Sequence, residues 1–114
     1  MIDVGVSDIA IYIPQFYLPH HELAEARGIP PEKFREGLGN HKMAILPNWE
    51  DSVTMAANAA AHLLEKTGTN PQEIHQLVVS TESGVDHSKP VASFVQGLLK
   101  ISSRCRIYEI KHAC

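Results

Sequence analysis

The sequence predicts an α/β fold, and three observations carry that prediction. Runs rich in β-branched residues occupy positions 4–13, 77–82 and 104–110. Apolar residues at three-and-four spacing fill the stretches between them, which is the pattern of helices with one buried face. Glycines and capping residues mark where those helices begin and stop. Strands separated by helices need crossover connections, so the sheet is expected to be mostly parallel, with functional groups gathered where strands end and loops begin.

The first expected strand runs from Val4 to Ile13 and is closed by Pro14, which cannot donate to a ladder. His21 to Arg27 carries Leu23, Ala24 and Ala26 beside Glu22 and Glu25, a short helix ended by Gly28, the residue that best tolerates a left-handed cap. A second short helix is expected with Pro31 at its first position, Glu32 in its first turn and Gly37 or Gly39 as its stop. Asp51-Ser52 then caps a long helix whose stripe is Val53, Ala56, Ala57, Ala60, Leu63 and Leu64, terminated by Gly68. The small alanines on that stripe suit a helix packed closely on a sheet. Asn70-Pro71-Gln72-Glu73 has the form of a capping box with proline at the first helical position and predicts one more helical turn.

Leu77 to Glu82 starts with a continuous apolar run, the signature of a central strand buried on both faces, and Ser83-Gly84 ends it. Val91 to Leu99 is expected as a helix with Val91, Phe94, Val95 and Leu98 on one side, closing near Lys100. Arg104 to Ile110 supplies the third strand, with Cys105 in the core. The span reads as part of a single domain, 1–114, with no internal repeat or linker. The strand-like run before Cys114 breaks off without polar fraying, so the native polypeptide is expected to continue past it or to carry a modified residue there. A piece of a larger sheet would leave one face and one edge bare.

Of the 114 residues, 44% are hydrophobic and 20% charged, which argues against disorder and against a coiled coil. Ten Lys and Arg against thirteen Asp and Glu leave a net charge of −3, with no basic run to neutralise phosphates, so no nucleic-acid partner is expected. No apolar stretch reaches the roughly 18 residues of a membrane span, and a cytoplasmic location is the expectation. Two cysteines, Cys105 and Cys114, are too few for a disulfide scaffold and lack the spacing of a structural zinc site. Among the seven histidines, His20-His21 are adjacent and His41, His62, His75 and His87 show no ligand spacing, so no metal is expected.

Two residues stand where chemistry is placed in such folds. Glu82 ends a nearly all-apolar strand, where desolvation would suit a carboxyl group to proton transfer. The same position also fits a solvated strand end or a cap on the following helix. Cys114 is a candidate nucleophile if a helix follows it, because a helix amino terminus activates a thiol and offers N–H groups to an oxyanion. A small buried hydrophobe is its alternative reading. His112 lies two residues before it and is read as a packing residue. Gly37-Leu38-Gly39 lacks the lysine pattern of a phosphate loop and is weak evidence for nucleotides.

Several segments taken in order carry a resemblance. Tyr12-Ile13-Pro14 with Tyr17, Leu23-Ala24-Glu25-Ala26-Arg27, Lys33-Phe34, Gly37-Leu38-Gly39, the run TESGVDHSK from Thr81 to Lys89, and EIKHAC from Glu109 to Cys114 resemble the amino-terminal part of the 3-hydroxy-3-methylglutaryl-CoA synthase family. The likeness spans essentially the whole chain. It implies a thiolase-like layered αβαβα fold of two similar halves, of which this chain is the start of the first, within a longer homodimeric enzyme. It also implies an acyltransferase that condenses acetyl-CoA with acetoacetyl-CoA. Cys114 then corresponds to the residue that carries the acetyl group, and Glu82 to the acid/base. No cofactor is implied beyond the two CoA thioester substrates.

The resemblance further places part of a CoA contact in the loop Gly28 to Lys33, which makes Pro30, Pro31 and Lys33 candidate substrate-binding residues. Pro30 stands where the family usually has aspartate, while Lys33 is available for a phosphate or pantetheine contact. The histidine that orients acetoacetyl-CoA is expected beyond Cys114, so the span alone is expected to be inactive. The rival reading is a polyketide β-branching synthase performing the same addition on an acyl-carrier-protein substrate. His87-Ser88-Lys89-Pro90 leans toward the mevalonate enzymes. A type III ketoacyl synthase would use histidine and asparagine in place of Glu82. A non-enzymatic interaction module is the remaining class.

Overall fold

The computed structural model describes residues 4–112. They form two compact units, one of residues 13–49 and one of residues 4–12 with 50–112.

In the first unit, β1 (Phe16–Pro19) pairs antiparallel with β2 (Lys42–Ile45), in the register Phe16↔Ile45 to Pro19↔Lys42. Sequence reasoning missed both strands. Each is four residues long and largely exposed, so neither shows the alternation of buried and exposed positions that a half-buried strand displays. Side chains support the pair: the Lys42 ammonium lies 4.2 Å from the Tyr17 ring centroid across the strands, and Phe16 meets Trp49, which follows β2, edge-on at 6.2 Å. Helix α1 (His20–Arg27) follows Pro19 directly, and the His20 N–H donates to the His41 carbonyl at 2.9 Å. It ends as expected at Gly28, whose φ of 60° lets the Gly28 and Ile29 N–H groups reach the last carbonyls. The second short helix is a π-helical turn, Lys33–Gly37. It starts two residues after Pro31, because the Pro30 and Pro31 carbonyls first accept the Lys33 and Phe34 N–H groups in a tight turn.

In the second unit, the expected strand over 4–13 is absent from residues 4–12, which pair with no strand among the described residues. Side chains of the long helix α2 (Ser52–Thr67) hold this segment instead. Lys66 Nζ donates to Asp8 Oδ1 at 2.6 Å and to the Ile9 carbonyl at 3.2 Å. His62, as its Nδ1–H tautomer, donates to the Ile11 carbonyl at 3.3 Å, and Tyr12 donates to Glu50. Side-chain bonds to carbonyls take the place of a ladder, and Val4, Val6, Ile9 and Ile11 remain exposed.

Helix α2 begins on the expected Asp51 cap. Asp51 Oδ1 accepts the Thr54 N–H at 2.8 Å, and the Asp51 N–H donates to Thr54 Oγ1 at 2.8 Å, a reciprocal capping box. Gly68 closes it with φ 65°. A 3-10 turn (Pro71–Glu73) follows, in which Asn70 Oδ1 accepts the Gln72 N–H. Strand β3 (Gln76–Ser80) pairs parallel with β4 (Arg106–Ile110) in the register Gln76↔Arg106 to Ser80↔Ile110, with α3 (Val91–Leu98) making the crossover.

Val53 and Ala57 of α2 and Val91 and Val95 of α3 are the buried core, with Leu77 and Val79 packed against them. Expectation and structure differ at three places here. Strand β3 stops at Ser80, and its alternation leaves Val78 and Ser80 exposed, because both helices cover the same face. Its one neighbour among the described residues is β4, so it is paired along one edge only. Leu98 is 60% exposed, and Leu99 takes the inward place expected of it, since the helix unwinds through Leu99 into Lys100 at φ 53°. Cys105 is buried as expected but precedes β4, in the turn closed by its own N–H to the Ser102 carbonyl.

Candidate active-site loop

The loop between β3 and α3, residues 81–90, carries Glu82, and five hydrogen bonds fix its backbone. The Thr81 N–H donates to the Ile110 carbonyl at 3.0 Å, extending the parallel ladder by one bond. The Ser83 N–H donates back to Thr81 Oγ1 at 3.1 Å, which sharpens the exit from the strand. From α2, the Ser52 hydroxyl donates to the Ser83 carbonyl at 2.6 Å. Further on, Asp86 Oδ1 accepts the Ser88 N–H at 2.7 Å and the Lys89 N–H at 2.9 Å, and these two bonds hold its carboxyl below the usual carboxylate range.

Glu82 therefore sits two residues beyond the end of β3, not within it, between two residues anchored to different elements. It is exposed among the described residues, where desolvation was expected.

The floor of the loop is built by β4. Alternation turns Glu109, the register partner of Val79, toward the helices, and its side chain is only 8% exposed. Helix α3 begins after Pro90, which has no side-chain cap to offer, and the Val91 N–H donates instead to Glu109 Oε2 at 2.6 Å. Lys111 Nζ lies 3.2 Å from Glu109 Oε1. The Val91 bond first, and then the Lys111 ammonium, lower the Glu109 pKa from its ordinary value. Gly84 rests on this pair: a Cβ at that position would lie 3.4 Å from Glu109 Oε1 and 3.6 Å from Lys111 Nζ. Sequence reasoning missed Ser52, Glu109 and Lys111. The available signal was a carboxylate at the inward position of the Arg106–Ile110 alternation, since an acid there must find a donor.

Cys114 lies outside the described residues. Pro30, Pro31 and Lys33 share one tight turn in the unit of residues 13–49, with the Lys33 N–H on the Pro30 carbonyl at 3.1 Å, but they do not line one hollow. Pro31 lines a cleft of about 210 Å³ with His20, His21, Arg35 and His41, whereas Lys33 lines an apolar hollow of about 350 Å³ with Ile29, Phe34 and Leu38. Pro30 lines neither. His20 is buried, its Nδ1–H on the Asn40 carbonyl and its ring 4.9 Å from that of Phe34, which is a packing role. No group of three His, Cys, Asp or Glu among the described residues could hold a metal ion. No helix among them is long and apolar enough to cross a membrane.

Comparison with known proteins bears on what this loop serves. The family model described as hydroxymethylglutaryl-coenzyme A synthase N terminal matches residues 1–114. The hydroxymethylglutaryl-CoA synthase of Enterococcus faecalis is 40% identical over 111 residues, covering 97% of this chain and 28% of that protein. A solved structure of MvaS in complex with 3-hydroxy-3-methylglutaryl coenzyme A superposes with a TM-score of 0.87 at 47% identity, over 96% of this chain and 26% of that one. The HMG synthase of the curacin biosynthetic pathway, solved in complex with an acetyl donor-ACP, superposes at 0.80 with 28% identity, over 94% of this chain and 26% of that one. The chain thus spans about a quarter of the length of the proteins it matches, and it shares with them the thiolase-like α/β fold expected from its sequence. By sequence over its whole length and by fold, the chain belongs to the hydroxymethylglutaryl-coenzyme A synthase family and corresponds to its N-terminal region.

Proposed function

We propose that this chain is the N-terminal part of a synthase that joins acetyl-CoA to acetoacetyl-CoA through an acetyl group carried on Cys114. The observation that carries the reading is the shared exit of β3 and β4. The strands run parallel and leave the sheet at the same end, in the register Ser80↔Ile110. Glu82 follows Ser80 by two residues and Cys114 follows Ile110 by four. The two strand exits that lead toward Glu82 and toward Cys114 lie on one rim of one sheet, and α/β folds gather their chemistry at such rims, which supports pairing the two residues in one site.

In this mechanism the Cys114 thiolate attacks the acetyl carbonyl, a new carbon–sulfur bond forms, and CoA leaves as its thiol with the cysteine's proton. The Glu82 carboxylate removes a proton from the acetyl methyl group, and the resulting carbanion attacks the ketone of acetoacetyl-CoA. Protonated Glu82 returns that proton to the new alkoxide. Water hydrolyses the thioester to Cys114, releasing 3-hydroxy-3-methylglutaryl-CoA and regenerating the thiol. Every acyl group arrives as a thioester, so no cofactor is required. Lys33, with Pro30 and Pro31, is proposed to contact the CoA moiety. The reading brings with it a cytoplasmic homodimer supplying a mevalonate pathway to isoprenoids.

A second reading rests on the likeness to the curacin synthase, whose structure holds an acyl carrier protein donor. The same addition could then be made on a carrier-bound β-keto group. The full-length polypeptide decides between them. Incubated with labelled acetyl-CoA, it is expected to form a thioester that Cys114→Ser abolishes together with condensation, and that Glu82→Ala retains while condensing poorly. Absence of the thioester on wild type overturns the enzyme reading, and a strong preference for acetoacetyl-carrier protein over acetoacetyl-CoA selects the second.

A further inference from the structure

The mechanism assigns no task to Glu109, although it is the most enclosed charged side chain described around the loop. We infer that Glu109 is a positioning residue for Glu82, acting through the Lys111 pair and the start of α3 to hold the 81–90 loop in its working conformation. The inference rests on the reading of Glu82 as the acid/base.

Four contacts support it. Glu109 Oε2 is the acceptor for the Val91 N–H at 2.6 Å, so the carboxylate fixes the point where the loop becomes a helix. Glu109 Oε1 lies 3.2 Å from Lys111 Nζ, and Gly84, two residues after Glu82, packs on both groups. The strand that carries Glu109 also accepts the Thr81 N–H through Ile110, so both ends of the loop are tied to β4. One carboxylate thus bonds to the far end of the loop and supports its middle, while the backbone of its own strand secures the near end. A neutral acceptor could serve the Val91 N–H, but only a charge also holds the ammonium beneath Gly84.

Full-length wild type, Glu109→Gln, Glu109→Ala, Glu82→Ala and the Glu82→Ala/Glu109→Ala double variant test this, with Cys114 acetylation and condensation timed separately. Glu109→Ala is expected to slow condensation by about tenfold or more, as displacement of an acid/base does, while acetylation stays within about threefold. Glu109→Gln should fall between, because it keeps an acceptor and loses the ion pair. The double variant should condense no more slowly than Glu82→Ala alone, since a residue that works only through Glu82 has nothing left to position. Amide hydrogen exchange over 84–91 should quicken in Glu109→Ala. Losses that multiply in the double variant, parallel losses in both steps, or unchanged exchange over 84–91 would each overturn the inference while leaving the role of Glu82 standing. A wild type that acetylates and condenses but is indifferent to Glu82→Ala would instead remove the reading on which it rests.

Discussion

Thr81 and Ile110 are joined by a backbone hydrogen bond of 3.0 Å, one residue beyond the last ladder pair of β3 and β4. This bond sets the direction in which the chain leaves the sheet toward Glu82. The loop is accordingly a continuation of the sheet, and its fidelity depends on residues of α2 and β4 that are distant in sequence.

Ser52 provides the tie from α2. Ser52→Ala removes the donor to the Ser83 carbonyl and leaves the fold intact, so condensation by the full-length polypeptide should fall by about threefold to tenfold, with acetylation of Cys114 little changed. Single-turnover assays of the two half-reactions read this directly.

Asp51 starts the helix that bears Ser52. Asp51→Ala should cost about 1 kcal/mol in denaturant unfolding, the usual loss for an N-cap, whereas Asp51→Asn should cost much less because an acceptor for the Thr54 N–H remains. Equal losses in the two variants would refute the capping role.

Val95 is fully buried between α2 and the sheet, in the core that also holds Val53, Ala57 and Val91. Val95→Ala should destabilise by about 2 kcal/mol, from lost burial and the cavity left behind. Leu98→Ala, on the exposed side of the same helix, should change the unfolding midpoint far less in this span.

Glu109 predicts a pH dependence. Its pKa in the folded protein is lowered, by the Val91 N–H first and Lys111 second, so the folded state favours its charged form. That contribution is complete above the unfolded-state value and disappears as pH falls through the lower folded-state value. The difference in melting temperature between wild type and Glu109→Gln should therefore be widest at neutral pH and should close on acidification through and below the ordinary glutamate range. A gap that stays constant across this window would show that the charge makes no contribution.

Much of the second unit was legible because its signals are local. Asp51 three residues before Thr54, the Val53/Ala57 spacing and Gly68 together specify α2 without reference to any other segment, since a cap, a stripe and a left-handed stop act within a turn or two of their own helix. Gly28 identified the end of α1 for the same reason. The segment after Val4 carried an equally good β-branched signal and pairs with no strand among the described residues, because a strand exists only if another backbone lies alongside it, and propensity does not supply the neighbour. The β1 and β2 pair shows the converse: Phe16–Pro19 and Lys42–Ile45 have weak patterns and pair regardless, brought together across the intervening α1.

The sequence by itself determined α1, α2 and α3, the succession β3, α3, β4, the family and the identities of Glu82 and Cys114 as the residues to watch. Tertiary structure alone decided that Glu82 stands on a loop past its strand, that Ser52 and Glu109 brace that loop, and that Pro31 and Lys33 face different hollows. The reason is physical. Caps, turns and amphipathic stripes arise from interactions between residues a few positions apart, whereas a hydrogen bond such as Glu109 to Val91 joins groups that become neighbours only after two strands have paired and a helix has crossed between them.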